Sequence, residues 1–464
     1  MVRRTLTAAL LLAAAAVRAE LPVPPEHPRL LGGRADFDRI RETAKTDPLL
    51  AAGVRAVVDH AAHYAKQPAV VRKMTGRRLL TVCREALKHI AAESMAYRLT
   101  GERRYFEAAV RQMEAACGFS DWNPKHFLDV SEMSLAVALG YDWLFGDLTD
   151  EQRERFAAGL KKHGYDEFVR DGAARHSRLK AGNNWGQVCN CGAIAAALAL
   201  WERVDAAEAE EMVRRSARRL RHPMRVYAPK GSYPEGPGYW EYGTTFNVVA
   251  IALLEHACGT DFGLGDIEGF KASAYYRDWV TGPSGQMFNY SDSGLTRGLA
   301  VPVWWFAAHG EPACVDYFER DALRRVAGWR KASLPREFPC MLFCLRDRKA
   351  PADVPRPRVW TSDDETGIAV LRSEWTTNAW FAAFKYGYAG GPHGHLDVGS
   401  FVFDALGERW AADIGSENYN RIEQLGLSLW SMKQESDRWK LYRLSNASHN
   451  VINPEGVLQN VGST

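Results

Sequence analysis

The chain has 464 residues, too many for one ordinary hydrophobic core, so two or more domains are expected, or one large repetitive architecture with an appendage. Its 59 basic and 56 acidic side chains leave a net charge of +3, too balanced to point to nucleic acid as a partner. Eight cysteines over this length are too sparse for a disulfide scaffold, and the close groups Cys189/Cys191 and Cys340/Cys344 lack the second pair that a zinc knuckle needs.

At the start, two arginines precede an apolar run that ends in Val17-Arg18-Ala19, a small-x-small pattern. Residues 1–19 are therefore expected to be a secretory signal peptide, and the remainder an exported protein, periplasmic or secreted. The apolar part is about a dozen residues, short of the roughly twenty that cross a bilayer, and no later stretch is apolar enough, so no membrane span is expected.

From about residue 35 to 330, apolar residues recur at three- and four-residue intervals in blocks separated by short Gly, Pro or Asp-bearing turns. The spacing predicts helices over 79–99, 128–145, 150–169, 185–201, 206–221 and 244–258, with Gly101 and Gly140 as breaks. Short links make neighbouring helices antiparallel hairpins. The absence of a fixed-length repeat argues against a TPR-like array and leaves a solenoid of another kind or a closed toroid. Arg214, Arg215, Arg218, Arg219 and Arg221 read as a solvated helix face.

Within this helical part, Gly182-Asn-Asn-Trp-Gly-Gln-Val188 is a polar patch directly before a very apolar helix. Asn183 or Asn184 suits an N-cap there, and Gln187 lies one turn on from Asn184. Farther along, the Gly/Pro-rich loop from Gly231 to Gly243 carries Tyr233, Glu235, Tyr239 and Tyr242 into a helix, with packing as the alternative role for Tyr242. The segment Phe288-Asn-Tyr-Ser-Asp292 has no role assigned.

A proline-rich linker, 351–357, ends the helical region, and strand-like segments follow at 367–372, 379–385, 400–404, 409–413 and 450–453. Between them, Gly391 to Phe401 sets His393 and His395 two apart on a segment expected to be extended, with both rings on one face. Asp413 ends the next strand, and His449 precedes the last one. Two histidines and a carboxylate from adjacent strands can hold zinc, and a closed site of that kind would be structural.

The chain resembles the heparinase II/III superfamily of polysaccharide lyases. The resemblance rests on Phe127-Leu-Asp-Val-Ser-Glu-Met133 with Tyr141-Asp-Trp143, Asn183-Asn-Trp185, Tyr233 to Tyr242, and His393-Gly-His395, taken in this order. It implies a mainly α protein with a C-terminal all-β part: an (α/α) toroid over residues 20–350, then an antiparallel β-sandwich over 351–464, with the active site in the cleft between them. Relatives carry a longer β-region, so here the sandwich is either reduced or truncated.

The resemblance further implies β-elimination on a uronic-acid-containing glycan, either glycosaminoglycan or alginate-like. Asn184 stands where the family neutralises the uronate carboxylate, Tyr239 matches the catalytic tyrosine, and His393 matches the base on the opposite face. Trp185, Gln187, Tyr233, Glu235 and Tyr242 are expected to bind substrate, and some relatives carry an acid at the place of Gln187. For Tyr239 to act as a base as well as an acid, its pKa of about 10 must be lowered by its surroundings. His395, Asp413 and His449 match ligands of a structural zinc, and no organic cofactor is implied. Competing readings are a uronate C5-epimerase, a glycoside hydrolase using two of Glu132, Glu235 and Asp292, and a glycan-binding protein without activity.

Overall fold

The structure is a computed structural model that describes residues 20–328, 333–350, 356–454 and 456–462. The expected signal peptide and residues 351–355 of the proline-rich linker lie outside these. The helices are α1 (Arg34–Ala44), α2 (Pro48–Tyr64), α3 (Leu80–Thr100), α4 (Arg103–Cys117), α5 (Leu128–Leu144), α6 (Asp150–Leu160), α7 (Asp166–Ala173), α8 (Asn184–Ala199), α9 (Ala206–Leu220), α10 (Pro237–Cys258), α11 (Pro302–Ala308), α12 (Tyr317–Ala327), α13 (Leu342–Asp347) and α14 (Tyr419–Gln424). Five strands follow α13: β1 (Val359–Thr361), β2 (Ile368–Arg372), β3 (Phe381–Lys385), β4 (Phe401–Ala405) and β5 (Glu408–Ala411).

Helices alternate between an inner and an outer layer because their sequences differ in how much of their circumference is apolar. Every residue of α5 is buried and α8 is nearly as apolar, so both stand inside the ring. The outer helix α9 instead buries one stripe, Ala209, Val213, Ser216, Ala217 and Leu220, and turns its arginines outward. Contacts run from α3 to α5, α8, α10, α11, α13 and α2, then back to α3, which closes a toroid.

Helix ends follow local chemistry. Gly101 ends α3 in the left-handed region at φ 73°, as its position in the pattern suggests. Gly140, expected to be a break, instead lies inside α5, where an added Cβ would stand 2.5 Å from Met113 Sδ and 2.6 Å from Ile90 Cγ2. It is a contact residue between inner helices. The helix expected over 150–169 is one rod running to Ala173, with a π-helical turn at Lys161–Tyr165.

The strands form one antiparallel sheet in the order β1-β2-β3-β4-β5. Ile368, Val370, Phe381, Ala383 and Val402 point inward and join the same apolar core as the helices. Leu371, Phe384, Phe401 and Trp410 point outward and are exposed. Among the described residues there is one sheet and not the two of the expected sandwich. Residues 450–453, expected to be a strand, are irregular: Asn450 Nδ2 donates to the carbonyls of Phe401 at 2.8 Å and Ala412 at 3.1 Å, taking sheet-edge acceptors with a side chain. β1 has no counterpart in the expected strands. It is three residues long and lies next to the linker, too short to show alternation.

Inner helices α5 and α8 approach most closely at Gly192, where an added Cβ would be 2.8 Å from both Ser131 Cα and its carbonyl oxygen. Gly192→Ala is therefore expected to destabilise the protein by about 1–3 kcal/mol through overpacking. The check is urea unfolding, in which the midpoint falls while the slope is unchanged.

Candidate functional site

Two helix starts build one wall of the cleft. Asn183 caps α8, its Oδ1 accepting from the Trp185 amide at 3.1 Å, which makes Asn184 the first helical residue. Helix α10 starts at Pro237, seven residues before its expected beginning, immediately after Gly236. Only glycine suits that position: φ is 86°, and a Cβ would lie 2.3 Å from Ser293 Oγ and 2.6 Å from the Tyr290 carbonyl. Tyr239 and Tyr242 thus sit three residues apart on one helical face.

Glu235, in the turn before α10, holds Asn184. The Asn184 amide Nδ2 donates to Glu235 Oε2 at 2.5 Å, and the Asn184 backbone N–H donates to Oε1 at 3.2 Å. Burial raises the Glu235 pKa, opposed by His393 and by the Asn184 bonds. Asn184, Trp185, Tyr239, Tyr242 and His393 line a hollow of about 320 Å³. Arg84, Tyr239, Tyr242, Asn418 and Tyr419 also line an adjoining hollow of about 670 Å³, so the two form one cleft.

Asp292 organises the opposite wall. Its carboxylate lies 3.0 Å from His393 Nδ1 and 3.0 Å from His395 Nε2, and it accepts from Arg438 Nη2 at 3.0 Å. Burial works against its charge, but the two histidine bonds and the Arg438 guanidinium hold its carboxyl well below the usual range. The His393–His395 segment is a turn, not the extended segment expected: His393 has φ 60° and the Gly394 amide donates to the Gly391 carbonyl at 2.9 Å. Both rings still face one partner, because the turn wraps around that carboxylate.

The ring of His393 stacks on that of Tyr239 with centroids 4.0 Å apart. Tyr419 completes the group, its hydroxyl 3.0 Å from Tyr239 Oη and 3.1 Å from His393 Nδ1. Burial pushes the Tyr239 phenol up, with Asp292 and Glu235 adding to this and Tyr419 and Arg84 opposing it. The lowered pKa expected for Tyr239 is therefore absent, and the residue stands in the cleft as a neutral phenol.

Other expected site residues are placed differently. Gln187 and Tyr233 are fully buried and line neither hollow: Tyr233 Oη donates to Gln187 Oε1 at 2.6 Å, and Gln187 Nε2 donates to Tyr227 Oη at 3.1 Å. They support the wall from behind, because the Gln187 side chain fills the space beside Gly243, where a Cβ would be 1.8 Å from its Oε1. Glu235 is buried beneath Asn184 and lines neither hollow. Tyr242 lines the cleft but is also structural, lying between the guanidinium groups of Arg84 and Arg336 and donating to Glu132 Oε1 at 2.8 Å.

His395, Asp413 and His449 come together as a hydrogen-bonded cluster. His449 Nδ1 is 2.6 Å from Asp413 Oδ2, and the rings of His395 and His449 are 5.2 Å apart. His395 Nδ1 and His449 Nε2 are buried without a hydrogen-bond partner, so each offers a lone pair that a metal would satisfy. Asp413 is already committed to His449 Nδ1 and to the Gly415 amide at 2.8 Å. Among the described residues no three His, Cys, Asp or Glu side chains are arranged to hold an ion. Two unpartnered imidazole nitrogens thus face the cluster, and Asp413 stands as the carboxylate orienting one of them.

Tyr419, at the start of the short helix α14, and Arg438, in a single helical turn beyond it, were not legible as site residues. Helices this short show no periodicity, and no dense local motif marks either side chain. Asp292 lies in the segment Phe288–Asp292, to which the sequence assigned no role, and its part shows only once His393 and His395 are seen to converge on it.

Residues 356–458 match the family described as Heparinase II/III-like, C-terminal. No curated protein matches the chain. Among solved structures, a heparinase III is similar with TM-score 0.54 at 13% identity, covering 86% of this chain and 62% of that one. The chondroitin AC lyase of Streptomyces coelicolor A3 gives 0.48 at 13%, covering 81% and 58%. An alginate lyase from Bacteroides ovatus gives 0.42 at 11%, covering 68% and 99%. Of these three, the heparinase III likeness carries the fold, a helical toroid followed by antiparallel strands. The chain spans less than two-thirds of the length of that heparinase III. The family match covers the C-terminal part of the chain, and the heparinase III likeness extends to the fold of the whole.

Glu132, one of the carboxylates considered for hydrolysis, is fully buried and receives Arg84 Nε at 3.1 Å and Arg336 Nε at 2.7 Å. Burial alone would raise its pKa, but Arg336 and Arg84 overcome this and depress it. Glu132→Gln should cost about 3 kcal/mol by leaving the two guanidinium groups without their carboxylate. Because the folded pKa is depressed, this contribution is full above the unfolded value of about 4.3 and is lost as pH falls through the folded value. Denaturation of both proteins across acidic pH should therefore show the stability gap closing on the acid side.

Proposed function

We propose that the protein is a polysaccharide lyase that cleaves a uronic-acid-containing glycan by β-elimination and leaves a C4–C5 unsaturated end. The observation that carries this reading is the convergence of Asn184, Tyr239 and His393 on one hollow. These three groups supply what the reaction requires: an amide to neutralise the uronate carboxylate, a base for the C5 proton and an acid for the leaving oxygen.

With Nδ1 of His393 held by Asp292, its Nε2 is the nitrogen left to take the C5 proton, and the Asp292 carboxylate stabilises the imidazolium that forms. The C5–H electron pair becomes the C4–C5 double bond as the C4–O4 bond breaks. O4 leaves with the proton of Tyr239, which its buried setting keeps on the phenol. Release of the Nε2 proton to solvent and protonation of the phenolate from solvent restore both groups, while Tyr419, bonded to Tyr239 Oη and His393 Nδ1, holds the two rings in position. Glu235 fixes the amide of Asn184 so that its second N–H is free for the carboxylate.

A structural zinc belongs to the same proposal. His395 Nδ1 and His449 Nε2 would hold it, with Asp413 orienting His449, and the ion would lock the turn that presents His393. Export by the leader at 1–19 is also part of the reading; among the described residues no helix is long and apolar enough to cross a membrane.

The test is incubation of the purified protein with a panel of uronate polymers, following the ultraviolet absorbance of the new double bond. Absorbance should rise with at least one polymer and fall by about 10²–10⁴-fold in Tyr239→Phe. Shortened or epimerised chains without that absorbance would point to a hydrolase or an epimerase instead. Metal analysis of protein purified without chelator should give about one zinc per chain, lost in His449→Ala together with several degrees of melting temperature. A metal-free parent that gains no stability from added zinc would remove the metal from the proposal.

A further inference from the structure

A second concave surface lies outside the cleft, between α12, the segment after α13 and the start of the sheet. It consists of two hollows of about 540 and 260 Å³ that share Val315 and Arg320. Neither has a lining residue in common with the cleft. Among the described residues the groove is lined by seven cationic side chains against three carboxylates, Asp47, Asp278 and Asp316.

The carboxylates do not consume this charge. Arg297 pairs with Asp278 at 2.7 Å, Glu319 at 3.1 Å and Asp316 at 3.3 Å, Arg356 with Asp278 at 3.4 Å and Asp316 at 3.8 Å, and Arg348 with Asp47, which leaves other cations of the lining over. Arg372 is buried with no carboxylate partner, its Nη2 bonded to the backbone carbonyls of Asp278, Trp279 and Thr281 at 2.8 to 3.2 Å. Arg320, Arg324 and Lys349 have no ion-pair partner among the described residues. Two guanidinium N–H groups in the lining, Arg297 Nε and Arg372 Nε, are buried without a hydrogen-bond acceptor. Unmet buried donors beneath uncompensated charge call for an anion.

Aromatic rings fix the shape of the groove. Arg372 lies 3.7 Å over Trp375 and Arg297 lies 4.9 Å over Phe318, so both guanidinium planes are held in place, while Tyr317 stands 64% exposed at the rim. Immobilised cations beside an exposed aromatic face suit an anionic sugar better than a free ion, since the ring gives a pyranose a surface to stack on. We propose that this groove is a second binding site for acidic polysaccharide, holding the polymer outside the catalytic cleft. The choice of polymer rests on the lyase reading, and the anionic group is a carboxylate or a sulfate ester.

Affinity electrophoresis of the full chain carrying Tyr239→Phe tests this without turnover, through gels containing polygalacturonate, dextran sulfate or neutral dextran. Retardation is expected in a charged gel and not in dextran, and the gel that retards names the anion. Arg320→Glu/Arg324→Glu, on the surface of α12, should weaken the retention about tenfold. The milder Arg320→Ala/Arg324→Ala, with an unchanged melting curve, should weaken it less. In the active chain the same charge reversal should raise KM on polymer while leaving turnover of a tetrasaccharide unchanged. Retention that is equal in parent and variants, or no retention in any gel, overturns the site. Retention lost in the variants of a protein that cleaves no polymer keeps the site and overturns the lyase reading alone.

Discussion

The carboxylate of Asp292 is the point on which the cleft turns. It lies in the helical part of the chain, and the three groups that meet it, His393, His395 and Arg438, all come from the C-terminal part. A buried anion without partners would cost several kcal/mol, so the segments that bring these partners are fixed wherever Asp292 is fixed. The position of His393 against Tyr239 follows, as does the closeness of His395 to His449. One ionised side chain thus aligns two parts of the fold whose local structures have nothing in common.

The rest of the cleft shows how a tight protein interior sets reactivity. Tyr239 stacks against an imidazole, faces another phenol and lies near two carboxylates, surroundings that keep its proton in place. In the proposed reaction such a phenol serves as the acid for the developing alkoxide. The base of that proposal is a different residue, His393, whose other nitrogen is held by Asp292. Two stacked rings would then share the work that residue types alone assign to a single tuned tyrosine. Glu132 shows the reverse effect: it is equally buried, yet two arginines keep it charged, and it serves the wall and not the reaction.

Much of the toroid was legible because long apolar periodicities survive any local irregularity, as with the stripe of α9 and the largely apolar, buried α5 and α8. The positions of strands β2 to β5 followed from short runs of β-formers between turn residues. The site was legible where a motif sits on a helix start, as Asn184 and Tyr239 do, since the cap or the preceding glycine fixes the side-chain direction. It was not legible where function depends on the reverse side of such a motif. Gln187 and Tyr233 belong to the same two segments yet point into the core, and one turn of helix decides which. Tyr419 opens the six-residue α14 and Arg438 sits in a single helical turn, elements too short for a periodic trace, so tertiary contacts set both positions.

The span of chain closed by these contacts bears on how the protein folds. Asp292 meets His393 and Arg438 across 101 and 146 residues, and Tyr239 meets Tyr419 across 180. Hairpins of the toroid form from neighbours in sequence and can do so while the ribosome is still translating; the cleft cannot. Until residues 393–395 have been made, Asp292 lacks its histidine partners and Tyr239 has no imidazole against it, and the Arg438 partner comes later still. The cleft therefore assembles after the hairpins of the ring, from contacts that no local segment can make alone.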